Sequence, residues 1–190
     1  MADSLSVQQH LQQGLAAYLG QGSGYDLVSA RQHFQAASDL GLPRASALLA
    51  EMLYTGHRGY YIDRKASVAL LLKASQAGDL YAKFSLSKMK AKKLSATREF
   101  PMIINDGELE LSQMAPNLKK EADQNDPLMQ YAYSVAIGIV DQENNKSESI
   151  EYRDKAAQQG VLLAKLNAAT SLYWEDKGHP TPVIEQFNRL

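Results

Sequence analysis

The chain has 190 residues, which is enough for one substantial hydrophobic core and too few for two domains of ordinary size. Its 20 Lys and Arg against 21 Asp and Glu give a formal charge of −1, which argues against a strongly basic nucleic-acid-binding protein. Cysteine is absent, so a disulfide framework, a thiolate nucleophile and a Cys-ligated zinc site are all excluded.

The residue composition also indicates the class of fold. The chain has 25 Ala and 25 Leu but only 7 Val and 7 Ile. Alanine and leucine are good helix formers, whereas β-branched residues favour strands. We therefore predict an all-α protein.

The beginning of the chain and its apolar runs bear on location. Residues 1–7 are polar and lack the basic and apolar segments of a signal peptide. The longest apolar runs, at 68–72 and 132–140, are much shorter than the ~20 residues that span a membrane. We expect no membrane span and a cytoplasmic location by default, or a periplasmic one if a signal peptide has been removed.

An internal repeat is the main signal in the sequence. Three segments of the same length, 30–41, 67–78 and 149–160, end in glycine, and a weaker copy at 114–125 ends in asparagine. Asparagine is the common substitute for glycine where the backbone turns left-handed. The matching positions are the turn residues Gly41, Gly78, Asn125 and Gly160, the small pairs Ala37/Ser38, Ala74/Ser75 and Ala156/Ala157, and the later alanines Ala45, Ala82 and Ala164.

Each unit of the repeat predicts a helix–turn–helix. Asp26 and Asp63 stand where helix N-caps belong, because their carboxylates can accept from unpaired backbone N–H groups. Small and apolar residues at 30, 34 and 37, and again at 67, 71 and 74, predict one buried helix face. The glycine then ends the first helix, and the second helix returns along it.

The units divide one predicted domain, 1–190, into approximate repeats at 5–24, 25–59, 60–96, 97–145 and 146–178, with a C-terminal cap at 179–190. An insertion at 96–113 separates the second glycine unit from the third. We expect a loop there, then a helix from near Glu108 that Pro116 kinks or restarts. The insertion is either a tolerated extension or a partner-binding loop, since Phe100 and Ile103 are apolar for a loop.

These residues resemble the Sel1-like repeat family, which is related to tetratricopeptide repeats. The residues that carry the resemblance are Tyr54, Gly56, Asp63, Leu70, Leu71, Ala74, Gly78 and Ala82, and also Ser149, Tyr152, Ala156, Ala157, Gly160, Ala164 and Tyr173. The resemblance implies a right-handed α–α solenoid of about nine helices that serves as a protein-interaction scaffold. It also implies that first helices of successive units line a concave face, and that the source is bacterial.

The sequence predicts no catalytic residue, metal ligand or cofactor. The four histidines form no metal-binding pair at helical spacing, and His33 occupies a repeat position that is better explained by packing. A lysine-rich stretch closes one predicted helix, and we interpret it as a solvated last turn; an acidic protein or a phosphate surface is the alternative. Its members are Lys83, Lys88, Lys90, Lys92 and Lys93.

The predicted partner-binding surface combines the first helices with the insertion. Val68 and Leu72 are apolar where a solvated face would be polar, which indicates a contact patch; packing against the insertion or a neighbouring helix is the alternative. The full set of predicted partner-binding residues is Arg31, Gln35, Arg64, Val68, Leu72, Lys73, Phe100 and Ile103.

The predicted function is non-enzymatic binding of another protein, without nucleic acid. The resemblance suggests an immunity protein that neutralises a secreted bacterial effector toxin. An intracellular adaptor or regulator of a bacterial signalling or secretion assembly is the alternative. A small hydrolase is a third interpretation, which the missing catalytic motifs disfavour. The oligomeric state is left open.

Overall fold

In a computed structural model, the protein is described at residues 5–22, 24–56, 62–92 and 106–175, and every regular element in those ranges is an α-helix. The helices of these ranges are α1 (Val7–Tyr18), α2 (Leu27–Asp39), α3 (Pro43–Thr55), α4 (Arg64–Gln76), α5 (Leu80–Ala91), α6 (Gly107–Ala122), α7 (Pro127–Val140), α8 (Lys146–Gln158) and α9 (Leu162–Glu175).

The chain divides into two compact units, Met1–Gln113 and Met114–Leu190, and the boundary lies within α6. In the first unit each helix from α1 to α5 packs against the next along the chain. In the second unit α7 packs on α8 and α8 packs on α9. Within the described ranges, no helix combines the length and the apolar character needed to cross a bilayer. The single domain over 1–190 stays a prediction.

The predicted aspartate caps are confirmed. Asp26 Oδ1 accepts from the Ser29 backbone N–H at 3.0 Å, and Asp63 Oδ1 accepts from the Ala66 N–H at 2.8 Å. Each cap satisfies an N–H that the first helical turn leaves unpaired, which is worth about 1 kcal/mol. Asp79 caps α5 in the same way, through the Ala82 N–H at 2.8 Å.

The predicted left-handed turns between paired helices are confirmed as well. Gly41, Gly78 and Gly160 have φ of 90°, 94° and 93°, and Asn125, at the equivalent place, has φ of 68°. These values lie in the left-handed region of φ, which residues other than glycine and asparagine rarely adopt. The turn residue therefore fixes where each first helix ends and how its partner returns.

The small and apolar positions of the repeat form the core, as predicted. Ala30, Phe34 and Ala37 on α2 are completely buried, and so is Ser67 on α4, with Leu71 and Ala74 nearly so. The alanines that follow the turns, Ala45, Ala82 and Ala164, are also completely buried. Small residues at these places let helix backbones approach closely, which is why the pattern repeats.

The insertion ends in a helix that begins at Gly107, close to the predicted start. The predicted restart at Pro116 is wrong, because α6 continues through Pro116 as one helix. Proline removes one backbone hydrogen bond there. The completely buried Leu111 and Leu118, on either side of it, hold both halves of the helix in place. The predicted loop at 96–105 and the cap at 179–190 lie outside the described residues.

The predicted fold class is confirmed: within each unit the described helices form an all-α, solenoid-type array in which helices packed in chain order are joined by repeated turns.

Candidate functional site

The predicted first-helix surface is accessible only in part. Gln35, Arg64 and Lys73 are exposed, while Arg31 and Leu72 are partly buried. The prediction that Val68 is open to a partner is wrong, because its side chain is completely buried in the core of the first unit. The alternative of packing against a neighbouring helix is thus the better interpretation of Val68. Phe100 and Ile103 lie outside the described residues.

All charged residues of α4 are positive. Its thirteen residues, Arg64–Gln76, include three cations and no aspartate or glutamate. Arg64 lies over the ring of Tyr54, with its guanidinium carbon 6.0 Å from the ring centre. Lys65 and Lys73 are exposed, and neither makes an ion pair with any residue in the described part of the chain. We call Arg64, Lys65, Leu72 and Lys73 the α4 face.

The lysine-rich end of α5 is not a uniformly solvated turn, which corrects the sequence interpretation. Lys90 is partly buried, and its Nζ donates to Glu110 Oε1 at 2.6 Å. Lys88 is also partly buried, with its Nζ 5.1 Å from the centre of the Phe84 ring. Burial lowers the pKa of Lys88, and the negative charge of Glu51 opposes that effect. Lys83 and Lys92 are exposed, as predicted, and Lys93 lies outside the described residues.

A buried carboxylate lies between α3 and α5. Glu51 is 8% exposed, and its Oε2 accepts a short hydrogen bond from the Tyr81 hydroxyl. Its Oε1 has no hydrogen-bond partner within the described ranges. A carboxylate in an apolar core needs compensation, and the nearby Lys88 ammonium supplies part of it. The contact ties the two helices together and explains why Lys88 turns inward.

Two residues of the insertion helix hold it against α5. Glu110 accepts from the Ser87 hydroxyl at 2.5 Å as well as from Lys90. Partial burial by itself raises the pKa of Glu110. The hydrogen bonds from Lys90 and Ser87 lower it by more, so the pKa lies below its ordinary value. Gly107 allows the close approach, since a Cβ there would lie 2.4 Å from the backbone nitrogen of Ala91.

A polar pocket of about 400 Å³ opens in the second unit, beside the turns that follow α6 and α8. We call it the carboxamide pocket. Its lining consists of Ala122, Asp123, Asn125, Gln130, Tyr152, Lys155, Gln158 and Gln159. The amide nitrogen of Gln159 donates to Gln130 Oε1 at 2.8 Å and to Asn125 Oδ1 at 3.1 Å. These bonds connect the two turns through side chains alone.

Tyr152 lines this pocket and makes three contacts that hold its side chain. Its hydroxyl donates a short hydrogen bond to Asp123 Oδ1, and its ring meets that of Tyr133 edge-on, with centres 4.8 Å apart. Lys155 Nζ lies 4.6 Å from the centre of the Tyr152 ring. The hydrogen bond to Asp123, together with burial, raises the pKa of Tyr152 to about 12.

An ion pair supports the same two tyrosines. Lys119 Nζ donates to Glu148 Oε1 at 2.5 Å, and Tyr133 donates to the same oxygen at 3.0 Å. The hydrogen bond from Lys119 lowers the pKa of Glu148, and that to Glu148 raises the pKa of Lys119. Both charged side chains are more than a third exposed, so the pair orients Tyr133 more than it stabilises the unit.

No arrangement typical of metal binding occurs in the described ranges. They contain no group of three or more His, Asp or Glu side chains placed to hold a metal ion. His33 is partly buried and packs on His10, with the two Nδ1 atoms 3.1 Å apart. Burial and the charge of His10 lower the pKa of His33. This agrees with the packing role expected for His33.

Sequence reasoning missed the carboxamide pocket. Its residues are spread over two repeat units, and the sequence identifies the segment 114–125 only as a weaker copy of the repeat. A usable signal was present, since asparagine replaces the turn glycine at Asn125 and two glutamines precede the next turn at Gly160.

No protein-family model matches the chain, and no curated protein matches it significantly. Among solved structures it is similar to a Sel1 repeat protein from Oxalobacter formigenes, at 24% identity and a TM-score of 0.39 over 88% of this chain. It is also similar to a protective antigen of uropathogenic Escherichia coli with an SLR fold, at 19% identity and a TM-score of 0.44 over 96% of this chain.

The chain covers 45% of the length of each of these two proteins. The Asp26 and Asp63 caps, the left-handed turns and the buried alanines stand where the repeat pattern puts them. The resemblance to Sel1-like repeats is therefore confirmed at the level of the fold.

Proposed function

We propose that this protein is a non-enzymatic scaffold that binds another protein through the α4 face. The observation that carries the proposal is the charge of that face: Arg64, Lys65 and Lys73 lie exposed on one helix that has no acidic residue. Leu72 supplies partly accessible apolar surface among them. An apolar patch with a charged rim is typical of contact sites between proteins.

The positive charge of the α4 face indicates what kind of partner it binds. Three cations within 13 residues attract an acidic protein surface and accelerate its encounter with the face. Arg31 and Gln35, on the first helix of the preceding unit, extend the proposed surface. On α2 the exposed Val28 adds apolar area, with 45% of its surface accessible. The proposed partner is a protein that presents carboxylates around a small apolar contact.

The finer proposal concerns the biological setting. We propose an immunity protein that binds and neutralises a secreted bacterial effector toxin. The sequence resemblance to Sel1-like repeats supports it, as does the form of the α4 face, which suits one acidic partner. The alternative is an adaptor in a bacterial signalling or secretion assembly. The first predicts one dominant partner at a fixed ratio, whereas the second predicts several components of one assembly.

The proposal is tested by capturing partners from the native host on immobilised protein, with identification by mass spectrometry. Wild type is compared with the double variant Lys65→Glu/Lys73→Glu, which reverses the charge of the α4 face. The matched control is Lys83→Glu/Lys120→Glu, which makes the same change in charge at exposed lysines outside the face. Circular dichroism checks that all three proteins fold alike.

We expect a partner that wild type and the control retain and the α4-face variant loses. Equal retention by all three proteins would exclude the α4 face as the contact. A partner that dissociates equally from the variant and the control would indicate a general charge effect, which also contradicts the proposal. A toxin as the one dominant partner would favour the immunity role over the adaptor.

A further inference from the structure

The carboxamide pocket stands at a junction between consecutive repeat turns, and the first unit has an equivalent junction to compare. There the turns at Gly41 and Gly78 are joined by Arg44, whose Nε donates to Asp79 Oδ2 at 2.8 Å. The Asp79 side chain is almost fully buried, and Arg44 also covers the Tyr81 ring at 5.9 Å. An ion pair thus closes this junction.

In the second unit neutral side chains take the place of that ion pair. Gln130 is buried, and its amide nitrogen donates to Asn125 Oδ1 and to the Ala122 carbonyl, each at 3.3 Å. Gln159 uses its amide nitrogen for Gln130 and Asn125. A carboxamide has two N–H donors and one oxygen acceptor. The donors of Gln130 and Gln159 are therefore both committed inside the protein.

The remaining groups are unpaired and line the pocket. Within the described ranges no hydrogen bond is made by Asn125 Nδ2, Gln159 Oε1 or the second carboxylate oxygen of Asp123. All three residues line the pocket; Asn125 and Asp123 are exposed and Gln159 is partly exposed, so a ligand in the pocket can reach them. The network thus holds a donor and two acceptors in fixed positions, oriented by bonds on their other sides.

The charges of the lining exclude a strongly charged ligand. Asp123 and Lys155 place one negative and one positive group in the lining, and Lys155 Nζ is paired with Glu151 Oε1 at 2.6 Å. A phosphate or carboxylate would meet the Asp123 charge, and a metal ion would meet the Lys155 ammonium. A neutral group that offers both an N–H and a carbonyl matches what remains. The volume of about 400 Å³ lies within the range of ~300–1,000 Å³ found for ligand sites.

We propose that the carboxamide pocket is a second binding site, which takes the main chain of an extended peptide segment. The Asn125 amide donates to a peptide carbonyl, and Gln159 Oε1 accepts from a peptide N–H. Asp123 accepts from the next N–H along the segment. Recognition of main-chain amides needs no particular side chain, so the site tolerates many sequences. This inference does not depend on the α4 face.

The probe is a neutral peptide without side chains, N-acetyl-triglycine N-methylamide. Binding is followed by nitrogen-15 NMR of the full chain, because the side-chain NH₂ groups of Asn125, Gln130 and Gln159 each give their own signals. We expect saturable shifts at these signals and a dissociation constant of about 1–10 mM, as suits a small flexible ligand. No saturable shift up to about 50 mM probe would overturn the proposal.

Two further probes identify the chemistry. A triglycine analogue with an ester in place of its central amide lacks one N–H, and we expect it to bind about three- to tenfold more weakly. Acetamide offers a single small amide, and we expect no saturable shift from it in the same range. Equal binding of the ester analogue, or acetamide binding as tightly as the peptide, would overturn recognition of a peptide main chain.

The variant Asn125→Gly removes the donor, together with the Oδ1 that accepts from Gln130 and Gln159. It does not strain the turn, because glycine is the residue at the equivalent positions Gly41, Gly78 and Gly160. We expect at least about tenfold weaker binding with unchanged helical circular dichroism. The control Gln124→Ala changes an exposed neighbour outside the lining and should bind as wild type does. Wild-type affinity in Asn125→Gly would exclude Asn125 as the donor and overturn the proposal.

Discussion

Replacement of Gly107 by alanine tests how the insertion helix docks on α5. The added Cβ would lie 2.4 Å from the Ala91 backbone nitrogen, 2.5 Å from the Ser87 carbonyl oxygen and 2.7 Å from Lys90 Cβ. Two of these are backbone atoms of a helix, which cannot rotate away. The start of α6 must therefore shift outward, which stretches the hydrogen bonds that Glu110 accepts from Lys90 and Ser87.

The magnitude follows from two opposing effects. Overpacking a well-packed contact costs about 1–3 kcal/mol, and three contacts below 3.0 Å put Gly107→Ala near the upper end. Alanine has a better helix propensity than glycine, and this offsets ~0.5–1 kcal/mol of the overpacking cost. We expect the free energy of unfolding to fall by about 2 kcal/mol, which lowers the Tm by roughly 4–8 °C in a chain of this size.

Urea denaturation followed by circular dichroism measures this change, and Gly41→Ala is the matched control. Gly41 has φ of 90° and no atom within 4 Å of an added Cβ, so its variant suffers backbone strain without a clash. That strain lowers the free energy of unfolding by about 1–2 kcal/mol. Alanine also restricts the unfolded chain more than glycine does, which offsets ~0.4–1 kcal/mol of this loss. A Gly107→Ala protein as stable as wild type, or more stable than Gly41→Ala, would refute the docking of α6 on α5.

Three further predictions concern single side chains. Glu110→Gln should lower the free energy of unfolding by about 1 kcal/mol at pH 7, after allowance for partial exposure. Because folding lowers the pKa of Glu110, this difference is complete above the ordinary glutamate value of 4.5 and shrinks as the pH falls through the lowered pKa; urea curves that differ equally at pH 7 and pH 3 would contradict it. Tyr152→Phe loses the bond to Asp123 and should remove the component near pH 12 from the alkaline titration of tyrosine absorbance; its persistence would mean that another tyrosine carries that pKa. Val68→Asp buries a charge and should lower the free energy of unfolding by more than about 3 kcal/mol. Ala69→Asp, at the exposed neighbouring position, should change it by less than ~0.5 kcal/mol. Similar thermal melts for the two variants would show that Val68 is accessible.

Local chemistry explains why the repeat could be predicted from the sequence. An aspartate that caps a helix, as Asp26 and Asp63 do, acts within three residues of itself. A left-handed turn depends on the residue that adopts it, so Gly41, Gly78 and Asn125 could be aligned directly. These features recur at regular intervals, and the recurrence distinguishes them from chance.

Burial and long-range pairing were less predictable. Val68 shares a repeat position with Arg31, yet Val68 is completely buried and Arg31 is not, because burial depends on which neighbours pack against each helix. Lys90 turns inward to meet Glu110, 20 residues further along the chain. Sequence spacing specifies the face of a helix but does not specify what covers it.

The carboxamide pocket shows the same limit. Asn125 and Gln159 are 34 residues apart, and their contact arises only when two turns come side by side. Substitution of the turn glycine by asparagine was visible in the sequence, but it was explained fully by backbone conformation. The second role of its side chain needed the positions of Gln130 and Gln159.

The most direct test of the central claim is the affinity of the captured partner for three proteins, measured by isothermal titration calorimetry at two salt concentrations. These are wild type, Lys65→Glu/Lys73→Glu and Lys83→Glu/Lys120→Glu. If the α4 face binds an acidic surface, the first variant should lose about tenfold or more in affinity, and wild-type affinity should fall as salt rises. The control variant should bind as wild type does. Equal affinities for all three proteins, unchanged by salt, would contradict a scaffold that binds its partner through the α4 face.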